Sequence, residues 1–313
     1  MAHSDNINFN SSKIDNSQLE DNTSIDQSNS SSATVTTTVK CSSKVNDFVM
    51  LLKHGYVLFN KKLGEGTYSK VKHAYSKKQN RDIAIKIINR KIAPKEFLKR
   101  FLPRELEIIG NIEHPNICKC FEVLDAGCKV YLCLEFAQGG DLLEYIKKHK
   151  IMSESVAKVF FSQVLDAILY LHSKNILHRD LKCENILIGD KLKPLLADFG
   201  FAKYVKNNDL SRTFCGSSAY ASIEILKGIA YDGKCAEVWS LGCILYIITT
   251  GNMPFNDFDK VKQIKQMERG PAYRNLQQPI SNTLRQLISR MLDIDPKTRV
   301  TLKEIGKLSW MKE

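Results

Sequence analysis

Six polar residues, His178, Arg179, Asp180, Lys182, Glu184 and Asn185, fall within eight positions of the segment ILHRDLKCENILI (176–188), between apolar runs. Burying that many charges without partners costs roughly several kcal/mol each, so the segment either faces water or forms a built polar site. The rest of the chain decides which.

Three other places could join it. In LGEGTYSKV (63–71) Gly64 and Gly66 let backbone approach a polyanion that bulkier residues would keep away, although a plain hairpin turn accounts for them equally well. No G-K-[ST] follows and a strand comes next, which excludes a P-loop. Lys86 stands alone in the apolar strand IAIKII; it reads either as an edge lysine reaching solvent or, with Glu105 as its carboxylate partner, as a cation held over phosphates. Asp198 ends an apolar run in ADFGFAK (197–203), where an aspartate alone reads as a turn residue.

The elements that must position these residues change character along the chain. YVLFNKKLGEG, YSKVKHAYS, DIAIKIINR, CFEVLDA and KVYLCLEF predict five strands between Tyr56 and Phe136. EFLKRFLPRELEIIGNI (96–112) predicts one helix, with Pro103 marking a start or a kink. After QGGD (138–141) the apolar spacing turns helical in LLEYIKKHK, ESVAKVFFSQVLDAILYLHSK, CAEVWSLGCILYIITTG and TLRQLISRML. Strands first and helices second predict a two-lobed α+β fold with a cleft between the lobes, a five-stranded antiparallel first lobe (56–136) with one helix and a mainly helical second lobe (137–310), followed by a short end (311–313).

The chain has 313 residues, 43% of them hydrophobic, enough for a sizeable core. Residues 1–50, rich in Ser, Asn, Asp and Thr, read as disordered. The longest apolar run is far short of the roughly 20 residues a membrane span needs, and a soluble, cytoplasmic protein is expected. Nine scattered cysteines with no C-x-x-C pair fit neither a disulfide framework nor a zinc site. The net charge of +12 is spread along the chain without interleaved stacking aromatics, which argues against a nucleic-acid partner, and KKHK (147–150) reads as the solvated end of a helix.

Taken in order, a glycine loop, a strand lysine, a helix glutamate, H-R-D-x-x-x-x-N and D-F-G make up the protein-kinase signature, and from Tyr56 to Trp310 the chain resembles the eukaryotic protein kinases. The resemblance implies Asp180 as the base that orients the substrate hydroxyl, Lys182 as the neutraliser of the transferred phosphoryl group, and Asn185 and Asp198 as Mg2+ ligands. It implies ATP as phosphoryl donor. Leu63, Val71, Ala84 and Leu187 would enclose the adenine, the backbone of Glu135 and Ala137 would bond it at a hinge, and Leu134 would be the gatekeeper. Gly64, Glu65, Gly66, Thr67, Tyr68, Ser69 and Lys70 would form the loop over the phosphates, with Lys86 held by Glu105.

Lys182 resembles the serine/threonine kinases, and Glu184 and Asp141 match acidic positions that favour an arginine upstream of the target hydroxyl. FLPRE (101–105), DFGFAK, TFCGSSAYAS (213–222), EILKGIAYDGK and TGNMPFND look like the testis-specific serine/threonine kinases of the calcium/calmodulin-kinase-like group. That implies protein substrates, an activating kinase and a chaperone as partners, a monomer, a role in sperm, and Thr213 as an activation-loop phosphosite whose phosphate would pair with Arg179. Glu224 and Arg299 match a structural ion pair.

The chain departs from the pattern at Ser69, at Ile223 where the family has proline, and at Glu237 where it has aspartate. Losing the proline is expected to cost about 0.4–1 kcal/mol. The extra methylene of Glu237 is expected to shift or lengthen its bonds to the catalytic-loop backbone, at about 1.5–3 kcal/mol if a charged bond is lost. Two readings follow, an active kinase and a binding scaffold with an impaired site.

Overall fold

The computed structural model describes residues 36–38, 46–206, 209–213, 216–256, 259–274, 276 and 278–312. These belong to one contact unit spanning Ser32–Glu313. Most of the segment expected to be disordered, 1–50, lies outside the described residues.

A short strand, β1 (Thr36–Thr38), precedes helix α1 (Asp47–Lys53). The five anticipated strands follow as β2 (Tyr56–Glu65), β3 (Ser69–Ser76), β4 (Arg81–Asn89), β5 (Cys120–Asp125) and β6 (Lys129–Glu135). They pair antiparallel in the order β5-β6-β4-β3-β2, and β1 adds a parallel edge against β5. Helix α2 (Leu102–Asn111) lies between β4 and β5, entered through a π-helical turn at Phe97–Phe101.

The first lobe therefore carries α1 as well as the expected helix. Composition overlooked it because its apolar payload is small and local. Asn46 caps it by accepting from the Phe48 amide at 3.0 Å, and Met50 and Leu51 are buried against the sheet. Asp47 fastens it by accepting from Lys129 Nζ at 2.6 Å and from the Tyr131 hydroxyl at 2.7 Å.

Strand alternation divides the sheet into two faces. Ile83, Ile85, Ile87, Tyr131 and Cys133 join one cluster with Met50 and Leu51; Ile88, Val130 and Leu132 join the main core on the other face. Lys86 lies on that second face, in register with Val71 and Leu132. Pro103 proves to be a helix start: it occupies the first turn of α2, where its missing N–H is no loss.

The second lobe begins with α3 (Leu142–His149) and the 20-residue α4 (Glu154–Ser173). The expected solvated end at KKHK is the last turn of α3. Short antiparallel pairs then bracket the charged segment: β7 (Ile176–Leu177), β8 (Ile186–Ile188), β9 (Pro194–Leu196) and β10 (Lys203–Tyr204), with β7 on β10 and β8 on β9. Strand β11 (Leu210–Ser211) pairs with β12 (Tyr231–Asp232), and α5 (Ile223–Leu226) lies between them. Helix α6 (Gly233–Thr250) is apolar on nearly every face because it is enclosed on nearly every face. Helices α7 (Lys260–Arg269), α8 (Asn282–Met291), α9 (Leu302–Ile305) and α10 (Ser309–Lys312) complete the lobe. Among the described residues no helix is long and apolar enough to cross a membrane.

Candidate active site

Lys86 is not an edge lysine. Its strand is central, between β3 and β6, and its ammonium bridges Glu105 Oε1 at 2.7 Å and Asp198 Oδ1 at 2.9 Å. Pro103 begins α2 just before Glu105, which is 2% exposed and faces the sheet. Burial works against the Lys86 charge, but Asp198 and Glu105 outweigh it and raise the ammonium above its ordinary range. The same contact, with Lys86 as the largest cause, brings the Asp198 carboxyl down to about 2. Asp198 also sits at φ 61°, in the left-handed region where a non-glycine residue is strained.

The opening charged segment is a built polar site between β7 and β8. Asp180 is 5% exposed; Oδ2 accepts from Asn185 Nδ2 at 2.9 Å and lies 3.0 Å from Lys182 Nζ, while Oδ1 accepts from the Ser217 amide at 3.1 Å. Asn185 Nδ2 also donates to the Asp180 carbonyl at 2.8 Å, so its amide is turned with Oδ1 away from the aspartate. Burial disfavours the Lys182 charge, yet Asp180 raises its pKa overall. His178 sits beneath the segment, its Nε2 at 3.0 Å from the Ala197 carbonyl and its ring edge-on to Phe199. It thus joins the strand before Asp198 to the loop carrying Asp180.

The expectation for Glu237 is corrected. Oε1 accepts from the Arg179 amide at 2.7 Å, a short charged bond, and Oε2 meets His172 Nε2 at 2.5 Å. The extra methylene is absorbed by reaching a second partner, not by lengthening the first bond. Arg179 holds φ 63° there, and its Nε donates to the Phe201 carbonyl at 2.8 Å.

The glycine loop is the β2–β3 turn, with Gly64 opposite Val71 and Glu65 opposite Lys70. It closes on itself through the Gly66 amide to the Ser69 carbonyl at 2.9 Å, and a Cβ on Gly66 would lie 2.9 Å from Ser69 Oγ. Glu65 lies 2.7 Å from Lys62 Nζ, Thr67 is exposed, and the Tyr68 ring meets Phe97 at 5.3 Å. Ala84 is in register with Leu134, and Leu63 is partly exposed on β2. Leu187 bridges to Asp141 from β8. At the lobe junction the Glu135 amide donates to the Lys119 carbonyl at 2.8 Å, the Cys118 thiol donates to the Glu135 carbonyl at 3.5 Å, and Ala137 follows, half-buried.

Asp141 caps α3 by accepting from the Glu144 amide at 2.9 Å. Glu184 is raised in pKa, chiefly by burial, and accepts weakly from the Tyr220 hydroxyl at 3.4 Å. Thr213 is tied through its carbonyl to the Tyr231 hydroxyl at 2.8 Å. Arg299 grips Glu224 at 2.7 and 3.0 Å with its guanidinium over the Trp239 ring, so the anticipated pair forms and is bidentate. Beside it Ile223 is buried at the start of α5, and the hydroxyl of buried Ser222 has no partner among the described residues.

Sequence reasoning missed His172, the Ser217 amide and Gly216. His172 reads as an ordinary helix-end residue, and nothing local indicates that its partner is 65 positions away. Gly216 has φ 87°, and a Cβ there would lie 2.7 Å from the Arg179 carbonyl and 2.9 Å from Asp180 Oδ1. A glycine in a loop carried no such signal.

A family model described as protein kinase domain matches residues 57–311, and the chain belongs to the protein kinase family. Its relatives are serine/threonine kinases. It is 44% identical over 265 residues to testis-specific serine/threonine-protein kinase 3 of Mus musculus, covering 83% of this chain and 97% of that protein. It is 40% identical over 273 residues to testis-specific serine/threonine-protein kinase 1 of Mus musculus, covering 85% and 74%. Identity to testis-specific serine/threonine-protein kinase 4 of Homo sapiens is 36% over 278 residues, covering 83% of each.

Proposed function

We propose that this kinase transfers the γ-phosphate of Mg-ATP to serine or threonine in protein substrates with a basic residue upstream, and that Asp180, Lys182, Asn185, Lys86 and Asp198 carry the reaction. The observation that carries this reading is the ionic bridge from Glu105 through Lys86 to Asp198, at 2.7 and 2.9 Å, beside the Asp180–Lys182–Asn185 cluster. Phosphoryl transfer needs mainly positioning and charge neutralisation, and these residues supply both.

Lys86, held charged, would bind nucleotide phosphates. Asp180, fixed by Asn185 and the Ser217 amide, would orient the substrate hydroxyl and accept its proton. Lys182, also held charged, would face the transferred group. For the metal, the residues fit: Asn185 spends its NH2 on Asp180 and keeps its oxygen, and Asp198 stays ionised. Two protein oxygens suit Mg2+, which is bound by one or two carboxylates together with phosphates and water. When bound, the cation neutralises the phosphates.

Glu184 and Asp141 support recognition of a basic residue, since an arriving guanidinium would offset the cost of burying Glu184 as an anion. The scaffold reading rested on Ile223 and Glu237 together; the 2.7 Å bond speaks for an intact Glu237 contact, and Ile223 remains its support. The names of the relatives support a role in male germ cells, and a cytoplasmic, monomeric kinase activated at Thr213 by another kinase, with chaperone help, completes the proposal. The test is transfer from Mg-ATP to a serine peptide with arginine at minus three, beside Asp198→Asn and a peptide lacking the arginine. Transfer lost in Asp198→Asn and weakened without the arginine is expected; equal transfer by Asp198→Asn would overturn the assignment.

A further inference from the structure

The FLPRE segment has a use that the ionic bridge leaves unexplained. Phe101 lies at the end of the π-helical turn, and its ring meets Phe201 edge-on, with centroids 6.3 Å apart and planes at 78°. Four residues earlier, Phe97 meets Tyr68 of the glycine loop at 5.3 Å. The four rings are half-buried.

Their places in the chain give these contacts leverage. Phe101 precedes Glu105 by four positions, so the two lie on one side of the helix and cannot rotate independently. Phe201 follows Asp198 by three. The ring pair therefore runs alongside the Glu105–Lys86–Asp198 bridge and joins the same two segments at a second point. Beside the core packing of Leu102, Ile108 and Ile109, a second contact to the Asp198 segment narrows the pivoting that the ionic contact alone leaves to α2. Pro103 favours the geometry: it has no N–H for the Lys99 carbonyl, and the turn closes instead from the Leu102 amide to the Phe97 carbonyl. The Phe201 carbonyl is itself held by Arg179 Nε at 2.8 Å, which ties the ring pair to the segment carrying Asp180.

We propose that Phe101 and Phe201 are positioning residues that lock α2 to the segment after Asp198, with Phe97 and Tyr68 extending the lock to the glycine loop, so that Glu105 keeps Lys86 in place for the nucleotide. This rests on the reading of Lys86 and Asp198 given above. The lock acts on nucleotide handling and leaves the peptide site at Asp141 and Glu184 alone.

The experiment uses the full chain as wild type, Phe101→Ala, Phe201→Ala, the double variant and Phe101→Tyr, measuring kcat, KM for ATP, KM for peptide and the thermal midpoint. Each alanine variant is expected to lose on the order of tenfold in kcat/KM for ATP, as misplacement of a reacting group does. The KM for peptide stays within about twofold, Phe101→Tyr keeps the activity, and the double variant is no worse than either single variant because both remove one contact. Losses that multiply, a KM for peptide that rises with that for ATP, or wild-type activity in Phe101→Ala would overturn the lock. Wild type without transfer, beside an equally inactive Asp198→Asn, would overturn the reaction itself and the positioning role with it.

Discussion

Glu237 and His172 are bonded at 2.5 Å, and the same carboxylate holds the Arg179 amide at 2.7 Å, so one side chain from α6 ties the end of α4 to the catalytic segment. An aspartate at this place is one methylene shorter and cannot keep both bonds without backbone movement. Glu237→Asp is accordingly expected to leave kcat unchanged or lower it, never to raise it. Steady-state kinetics of that variant check this, and a rise would show that the longer side chain is an impediment.

The Glu237 pair also gives stability a pH dependence. Burial pushes the carboxyl up, but the His172 and Arg179 bonds outweigh it and hold its pKa below the ordinary value of 4.5. A carboxyl lowered by folding contributes fully above its unfolded pKa, and the contribution fades as pH falls through the folded one. Urea unfolding should place Glu237→Gln about 1.5–3 kcal/mol below wild type at pH 7. The gap should narrow below about pH 4.5. A gap that widens in acid would contradict this sign.

Gly216 has a narrower role. A methyl group there would press on the Arg179 carbonyl and Asp180 Oδ1, at 2.7 and 2.9 Å, and its φ of 87° disfavours any other residue. Gly216→Ala is expected to lower kcat by on the order of a hundredfold through displacement of Asp180. The backbone strain adds about 1–3 kcal/mol. Nucleotide affinity, read by titration with a fluorescent ATP analogue, should change far less than kcat; equal loss of both would mean that the whole cleft had distorted.

Ser222 and Ile223, neighbours at the start of α5, bear on stability in different ways. The Ser222 hydroxyl is buried and has no partner among the described residues, so Ser222→Ala should stabilise the protein by about 1 kcal/mol in thermal or urea unfolding. Ile223 begins α5 with its side chain buried, and Ile223→Pro would exchange that packing for about 0.4–1 kcal/mol of chain entropy. The substitution should be neutral or destabilising and should not raise activity. A gain in either would mean that the family's proline is still favoured there.

The strands and long helices were legible because each carried a local signal: five short runs bounded by turn residues, and α4 and α8 with apolar residues at three and four spacing. The chemistry was legible because Gly64, Lys86, Glu105, Asp180, Asn185 and Asp198 follow one another along the chain in the order of the protein-kinase signature. What was not legible depends on distant partners. Asp47 means little until Lys129 and Tyr131 arrive beside it, His172 until Glu237 does, and Phe101 until Phe201 does. The edge reading of Lys86 failed for a related reason, since strand order is a property of the sheet and not of the strand.

Lys86 and Asp198 make the sharpest electrostatic prediction. The ammonium is the largest cause of the low Asp198 pKa, about 2 against 3.8 for an ordinary aspartate. A lowered carboxyl stays ionised until pH falls through its folded value, so Asp198 should remain a competent anion throughout the range in which the protein is folded. The acid limb of the pH–rate profile should then arise elsewhere, and Glu184, raised by burial, is the nearer source. Lys86→Met removes the ammonium, so the Asp198 carboxyl should titrate higher in carbon-13 NMR and transfer should fall by about 10²–10³-fold. If Asp198 titrated unchanged in Lys86→Met, the 2.9 Å contact would not be what sets its charge, and the ionic bridge would have to be supported from the Glu105 side alone.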